Sequence, residues 1–240
     1  MTNANPQPLA LLQNSLASLS GKSAINDVTL TGTIEEIGGS ENEEGTVSYK
    51  GLSASYRLDM TFRDGTLSEI VSPPVNGVHS GSWVGLDGVS HIMALHNLFV
   101  DPGWAPVLTF GNLLSSTASV FTFVGHETRN GADVFHLSAY QLSPNASNDE
   151  AVLMKHLTQV DVYLDATTLL PVSYVYNSHP DNDALVDIPV EVRYSNYQNV
   201  EGTEVPFHLQ KFINNTLAFD LQVQNASMNT GITVSQITAQ

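Results

Sequence analysis

At 240 residues the chain has room for one or two domains, and sheet-rich folds often reach this size as one. Eight Lys and Arg against 24 Asp and Glu give a formal net charge of −16, which excludes binding to nucleic acid or anionic head groups through a basic face. The chain has no Cys, hence no disulfide framework, and no apolar run approaches the ~20 residues of a membrane helix.

The opening MTNANPQPLALL carries no basic stretch followed by an apolar one. That fits either a cytosolic chain or an exported one whose leader is gone. Residues 1–7 are expected to be a flexible N-terminus. Leu9, Leu12, Leu16 and Leu19 recur at helical spacing, with Pro8 in the first turn and Gly21 as a stop, and predict a short amphipathic helix. Val28, Leu30 and Ile34 suggest a strand, and the acidic GGSENEEG after it reads as a solvated turn. Residues 52–63 give the cleanest strand pattern. Leu52, Ala54, Tyr56, Leu58, Met60 and Phe62 alternate with Ser53, Ser55, Arg57, Asp59, Thr61 and Arg63. The unbroken alternation predicts that all six apolar side chains share the covered face. Asp64-Gly65 is a hairpin turn, and hairpin material continues through 77–89 with Trp83 and an LDG turn.

The period changes at 90–116. Ser90 is placed to cap a helix carrying Ile92, Met93, Leu95, Leu98 and Phe99, which Asp101-Pro102-Gly103 breaks. A second helical or irregular segment carries Trp104, Val107, Leu108, Phe110, Leu113 and Leu114. Strands resume at 120–125 and 134–142 around an Asn130-Gly131 turn, and a polar loop, SPNASNDE, follows. Four further strands are predicted at 156–165, 172–178, 188–197 and 204–212, and 217–225 closes the set. Within them VDVYLDATTLLPVSYVY is typical: Val160, Val162 and Leu164 alternate with Asp161, Tyr163 and Asp165, and Val172, Tyr174 and Tyr176 resume after a turn. No fixed-period repeat and no linker divides the chain.

Motifs that carry chemistry are few. His91 and His96 are five apart, on different faces of a helix, unlike the i, i+4 pair of zinc helices. His179-Pro180-Asp181-Asn182-Asp183 with Asp187 begins like a calcium loop, but Leu185 stands where an oxygen is wanted and Gly is missing. It reads as a solvated hairpin loop, and no metal site is expected. GVHSG (77–81) is not a serine-hydrolase elbow, because His79 occupies the central position and Ser80 comes fourth. Pairings of Glu127 with His126 or His136 have no second feature behind them. No catalytic residue and no cofactor are expected.

Four stretches together carry a resemblance: LQNSLASLSGKSAINDVTLTG near the start, FVGHETRNGADVFHL (123–137), VYLDATTLLPVSYVYNSHPDND (162–183) and VEVRYSNYQNVEGTEVPFHLQKFINNTLAFDLQVQNASMNTG (190–231). They resemble a group of exported bacterial proteins that is in turn similar to the periplasmic outer-membrane lipoprotein carrier (lipoprotein-sorting, LolA-like) superfamily. The recurrent elements here are Leu164-Asp165, Thr168, Leu170-Pro171, Gly202 and Val205-Pro206-Phe207. These are turn motifs: Asp165 and Thr168 can satisfy turn amides, and Pro171 pre-sets the chain as it re-enters the sheet. The resemblance implies an open, curved antiparallel sheet around a few helices, an apolar cavity for acyl chains, and a periplasmic or otherwise exported location with the signal peptide removed. The arginine that the carrier places near its cavity mouth has no match, since Arg57 and Arg63 fall on the polar side of their strand.

The expected fold is therefore α+β, a half β-barrel forming one domain over 1–240, its concave face packed on helices near 9–19 and 90–116. The expected function is a binding protein that holds a lipid or acylated protein in an apolar trough lined by Met60, Phe62, Trp83, Met93, Phe99, Trp104 and Phe110. Either side of the break at 101–103 would move as a lid. A cell-envelope sensory or protein-interaction module, marked by an exposed apolar patch outside the trough, is the second expectation, and an enzyme the third. Oligomeric state is left open.

Overall fold

The computed structural model describes residues 7–21, 23–39, 41–142 and 145–239; the expected flexible N-terminus lies, apart from Gln7, outside them. Alternating side chains become strands β1 (Asp27–Gly38), β2 (Glu41–Leu52), β3 (Ser55–Phe62), β4 (Gly65–Val75), β5 (Val78–Val84) and β6 (Ser90–Ile92). After a crossover come β7 (Ser119–Arg129), β8 (Ala132–Gln141), β9 (Val160–Asp165), β10 (Pro171–Ser178), β11 (Ile188–Val200), β12 (Thr203–Ile213) and β13 (Thr216–Met228). The helices are α1 (Pro8–Ser20), α2 (Pro106–Ser115), α3 (Asn148–Thr158) and α4 (Val234–Thr238). Among the described residues the strands form one open, curved antiparallel sheet in the order β6-β5-β4-β3-β2-β1-β13-β12-β11-β10-β9-β8-β7. The fold is an α+β half-barrel. Every neighbouring pair but one joins strands consecutive in the chain. The exception, β1 with β13, sits in the middle of the sheet.

The concave face holds the core. Leu30 and Ile34 of β1, Leu58 and Met60 of β3, Val162 and Leu164 of β9, Val192 of β11 and Leu209 of β12 are all buried there with Leu12 and Leu19 of α1 and Phe110 of α2. Pro8 opens α1 and Gly21 ends it at φ 60, as expected, but the buried stripe is Leu11, Leu12, Ser15 and Leu19, and Leu9 is exposed. The convex side is covered over β2–β4 by α4, whose Ile237 packs with Ile232, Ile70 and Leu52. Asp27 ties that C-terminal segment down: its buried carboxylate accepts from Thr230 N (2.8 Å), Thr230 Oγ1 (3.1 Å), Gly231 N (3.0 Å) and Ile232 N (3.4 Å). At the β1–β13 seam the register shifts beside Gly32, where a Cβ would run into the Gln222 carbonyl.

Several expectations are corrected. The 52–63 strand is two strands: the chain turns at Ser53 (φ 52) and Ala54, which puts Leu52 on the convex side under α4. Tyr56, Leu58, Met60 and Phe62 do share the concave face; Ser53 and Thr61 are exposed, and Ser55 is buried. GGSENEEG is mostly ladder, because Glu35 and Glu36 pair with Glu44 and Glu43 and extend the β1–β2 hairpin. The helix expected from Ser90 does not form. Ser90, His91 and Ile92 pair with Val84, Trp83 and Ser82, His91 stacks on Trp83 at 4.0 Å, and only a 3-10 turn, Leu95–Leu98, follows. The polar run before 150 and the start of the 156–165 strand are instead α3. Its capping box pairs Ser147 with Glu150, and the strand begins at Val160.

Candidate functional site

β6 and β7 are the two free edges of the sheet and are consecutive in the chain, so residues 93–118 must cross the mouth of the half-barrel from one edge to the other. This crossing is a strap. It consists of the 3-10 turn, the Asp101-Pro102-Gly103 bend and α2. Asp101 Oδ1 accepts from Gly103 N and from Thr109 Oγ1, both at 2.8 Å, and so fixes the bend to α2. Gly103 is at φ +77, where a Cβ would stand 2.8 Å from both the Tyr174 ring and Tyr194 Oη. Tyr194 Oη in turn donates to the Gly103 carbonyl at 2.6 Å.

Beneath the strap lies a cavity of about 130 Å³. Leu98, Phe99, Val100 and Asp101 roof it, and Tyr56, Val71, Val160 and Tyr174 of the sheet floor it. His79 of GVHSG lines it from β5, on a plain strand rather than a strand-to-helix turn. The cavity is mixed in character. Burial holds the Asp101 carboxyl above the usual carboxylate range in spite of its hydrogen bonds. The phenols of Tyr49, Tyr56, Tyr174 and Tyr194 are pushed well up, chiefly by burial and further by the Asp101 charge, so they act as neutral hydroxyls.

The seven residues predicted to line an apolar site fall in three places. Met60, Phe62, Trp104 and Phe110 are buried in the concave core, and Met93 packs against it. Phe99 lines the cavity. Trp83 is exposed on the edge hairpin, in line across the ladder with Glu69 and Leu58 and stacked on His91.

One residue went unnoticed in the sequence. Lys211 of β12 is buried, its Nζ 5.0 Å from the centre of the Trp104 ring. Burial works against its charge, but Tyr176 and Glu69 outweigh that and hold the ammonium's pKa up. The signal was present: Thr203, Val205, Leu209 and Lys211 share the inward phase of the alternation, so a lysine stood at a core position. Trp104 Nε1, also buried, has no hydrogen-bond partner among the described residues. Arg57 and Arg63 lie off the trough: Arg57 pairs with Asp59 at 2.6 Å and also donates to the Ala239 carbonyl after α4, and Arg63 is fully solvated beside Asp64.

No family model matches the sequence, and no curated protein matches it. Solved structures do match in fold. An outer membrane lipoprotein-sorting protein domain from Vibrio parahaemolyticus superposes with a TM-score of 0.61 at 14% identity, covering 96% of each chain. A DUF1329 family protein from Desulfovibrio piger gives 0.60 at 8% identity over 98% of each chain. A LolA superfamily protein from Nitrosomonas europaea gives 0.53 at 10% identity, over 97% of this chain and 98% of that one. The chain therefore has the half-barrel fold of LolA-like and lipoprotein-sorting proteins along nearly its whole length. No helix among the described residues is long and apolar enough to cross a membrane.

Proposed function

We propose that this chain is an exported, periplasmic binding protein that takes an acyl chain, free or on a lipid-modified protein, into the trough beneath its strap. The observation that carries the reading is the cavity of about 130 Å³ between the 98–101 segment and the concave face. It is near the size of an engineered cavity that admits benzene, so it holds a fragment of an acyl chain and no more. A longer chain enters only if the strap lifts and the residues beneath it, Met60, Phe62, Met93, Trp104 and Phe110, take on the ligand in place of one another. Methionines and aromatic rings suit such a repacking surface. Lys211 and the idle Trp104 N–H offer a cation and a donor for an acidic or carbonyl-bearing head group. The carrier-type fold of the matching structures supports the same reading.

The test is titration with a fluorescent fatty acid and with a synthetic lipopeptide. In a Trp83→Phe background Trp104 is the only tryptophan left, because the chain has two. Saturable binding that changes Trp104 emission and is weakened by Phe99→Asp supports the trough. No binding of any acyl probe defeats it.

A second reading, a protein-interaction module of the cell envelope, rests on the β4–β6 edge. Val75, Val78, Val89 and Ile92 are exposed there, Ile92 at 86%. Exposed apolar side chains on an edge strand are a route to pairing with another chain. If Ile92→Lys abolishes capture of a partner while acyl binding is unaffected or absent, this reading replaces the first.

A further inference from the structure

Beside the 3-10 turn of the strap, whose Asn97 donates to the His179 carbonyl (2.8 Å) and accepts from His179 N (2.9 Å), three side chains from three elements converge: His156 in the last turn of α3, His179 just after β10, and Asp187 just before β11. The loop reading of 179–187 holds for its exposed tip but not for His179, whose side chain is 1% exposed. One ligand atom from each residue lies within 4.8 Å of the others. Asp187 Oδ1 is 3.6 Å from His156 Nε2 and 3.6 Å from His179 Nδ1. Two ligands on a tetrahedral zinc with bonds of about 2.1 Å stand roughly 3.4 Å apart, so two of the three edges are nearly formed.

The hydrogen bonding around the cluster fixes which ring nitrogens carry protons before a metal arrives. His156 Nε2 lies 3.1 Å from the Ala184 carbonyl and His179 Nδ1 lies 3.0 Å from the Val186 carbonyl. Carbonyls only accept, so these two nitrogens carry the ring protons. That leaves His179 Nε2 with a bare lone pair, buried and without a partner among the described residues, an arrangement that costs free energy. Moving one proton within each ring frees both inward nitrogens for a metal, at the cost of the bonds to the Ala184 and Val186 carbonyls, which the metal–nitrogen bonds must outweigh.

We propose that His156, His179 and Asp187 bind a divalent transition-metal ion, Zn²⁺ by preference. Two imidazoles and one carboxylate are borderline nitrogen and oxygen donors, which suit Zn²⁺ and its d-block neighbours and not Ca²⁺ or Mg²⁺. An open cleft of about 250 Å³, lined by His156, Asp187, Gln159 and Asp161, leaves room for water at a fourth position. The ion would clip α3 to the β10–β11 connection, two pieces of chain otherwise joined through His156 and Ala184. None of its three ligands lines the cavity beneath the strap, so zinc binding is read directly and does not depend on an acyl ligand being found.

The experiment uses the tag-free full chain, stripped with EDTA and titrated with ZnCl₂ by calorimetry, with CoCl₂ absorption as a geometric readout. One Zn²⁺ per chain is expected, undisturbed by excess Ca²⁺ or Mg²⁺, with a melting temperature that rises with Zn²⁺ concentration. His179→Ala removes a buried ring and is avoided. His156→Gln and Asp187→Asn lie nearer the surface and should keep the native circular dichroism. Each should weaken Zn²⁺ binding by at least about tenfold, the low end for losing even an outer partner of a metal site. Absence of saturable binding, or binding unchanged in both variants, overturns the site.

Discussion

Asp27 shows how much one carboxylate can organise. It is buried at the start of β1 and receives four donors from residues 230–232, so it fastens the segment leading into α4. Hydrogen bonds to a charged acceptor contribute about 1.5–3 kcal/mol, and orphaned amides add a desolvation cost. Asp27→Ala is therefore expected to lose about 3 kcal/mol in urea melts and to expose Ile70 and Ile237 to solvent. A loss below ~1 kcal/mol would mean that water replaces the carboxylate without penalty. Asp165 does a similar job in the turn after β9, accepting from Thr167 N (3.0 Å), Thr168 N (2.7 Å) and Thr168 Oγ1 (2.9 Å). That turn was legible in Leu-Asp-x-x-Thr because its chemistry is local. Asp27 was not, since its donors lie some two hundred residues away.

The strap is the element on which the functional reading turns, and its hinge is held by an acid that pays for its own burial. Burial raises the Asp101 carboxyl above its ordinary value, so its contribution to the fold is present below the unfolded value near 4 and is lost as pH rises through the folded one. Asp101→Asn keeps an acceptor for Gly103 N and Thr109 Oγ1 without the charge. It should raise the melting temperature at pH 7 and slow acyl uptake by holding the strap shut. A variant that melts lower than the parent at pH 7 would show that the charge itself secures the bend. The strands were readable from alternation throughout, as in Tyr56, Leu58, Met60 and Phe62. The strap was readable only as an apolar break in that alternation, and its helix was misplaced because Ser90–Ile92 gains more from pairing with β5 than from an unsupported helical turn. α3 was hidden because its start, SNDE, looks like a polar loop unless Ser147 and Glu150 are paired as a cap. Of the cavity only Phe99 and the break at Asp101 were legible, from the apolar run before it; Tyr56 and Tyr174 come from separate strands, and no spacing connects them to it.

Across the whole molecule the convex face is laced with acid–base pairs. His136 Nε2 stands 3.0 Å from Asp161, Arg129 Nη2 2.9 Å from Glu191, Arg193 Nη2 2.8 Å from Glu191 and His208 Nε2 3.0 Å from Asp220. Burial opposes each carboxylate charge, yet the hydrogen bonds and neighbouring charges win, and Asp161, Glu191 and Asp220 all sit below their ordinary values. A depressed carboxylate stabilises the fold above its unfolded value and loses that contribution as pH falls through its folded one. With unfolded values near 4, stability should be flat in this respect at neutral pH and fall steadily below about pH 4. Urea midpoints measured from pH 7 to pH 2 check this, and a midpoint that rose on acidification would contradict it. His136→Gln should flatten part of the slope.

The seam between β1 and β13 also dictates the order in which the sheet can be assembled. Eleven of the twelve strand pairings in the order β6 to β7 link consecutive strands, and all of these but β8–β9, which α3 separates, are joined by turns or short loops from which they can zip. The twelfth brings Val28 to Met228 and Ile34 to Leu221 across nearly the full chain. Non-local pairings of this kind close late and slowly. Two meanders, 27–92 and 119–228, should form first and then knit along a single line, with Gly32 setting the register where they meet. Pulse-labelled hydrogen exchange during refolding should find the hairpin amides of β3–β4 and β11–β12 protected before those of Leu30, Ile34 and Leu221. Simultaneous protection would mean that the central joint is part of the nucleus and the meanders condense around it.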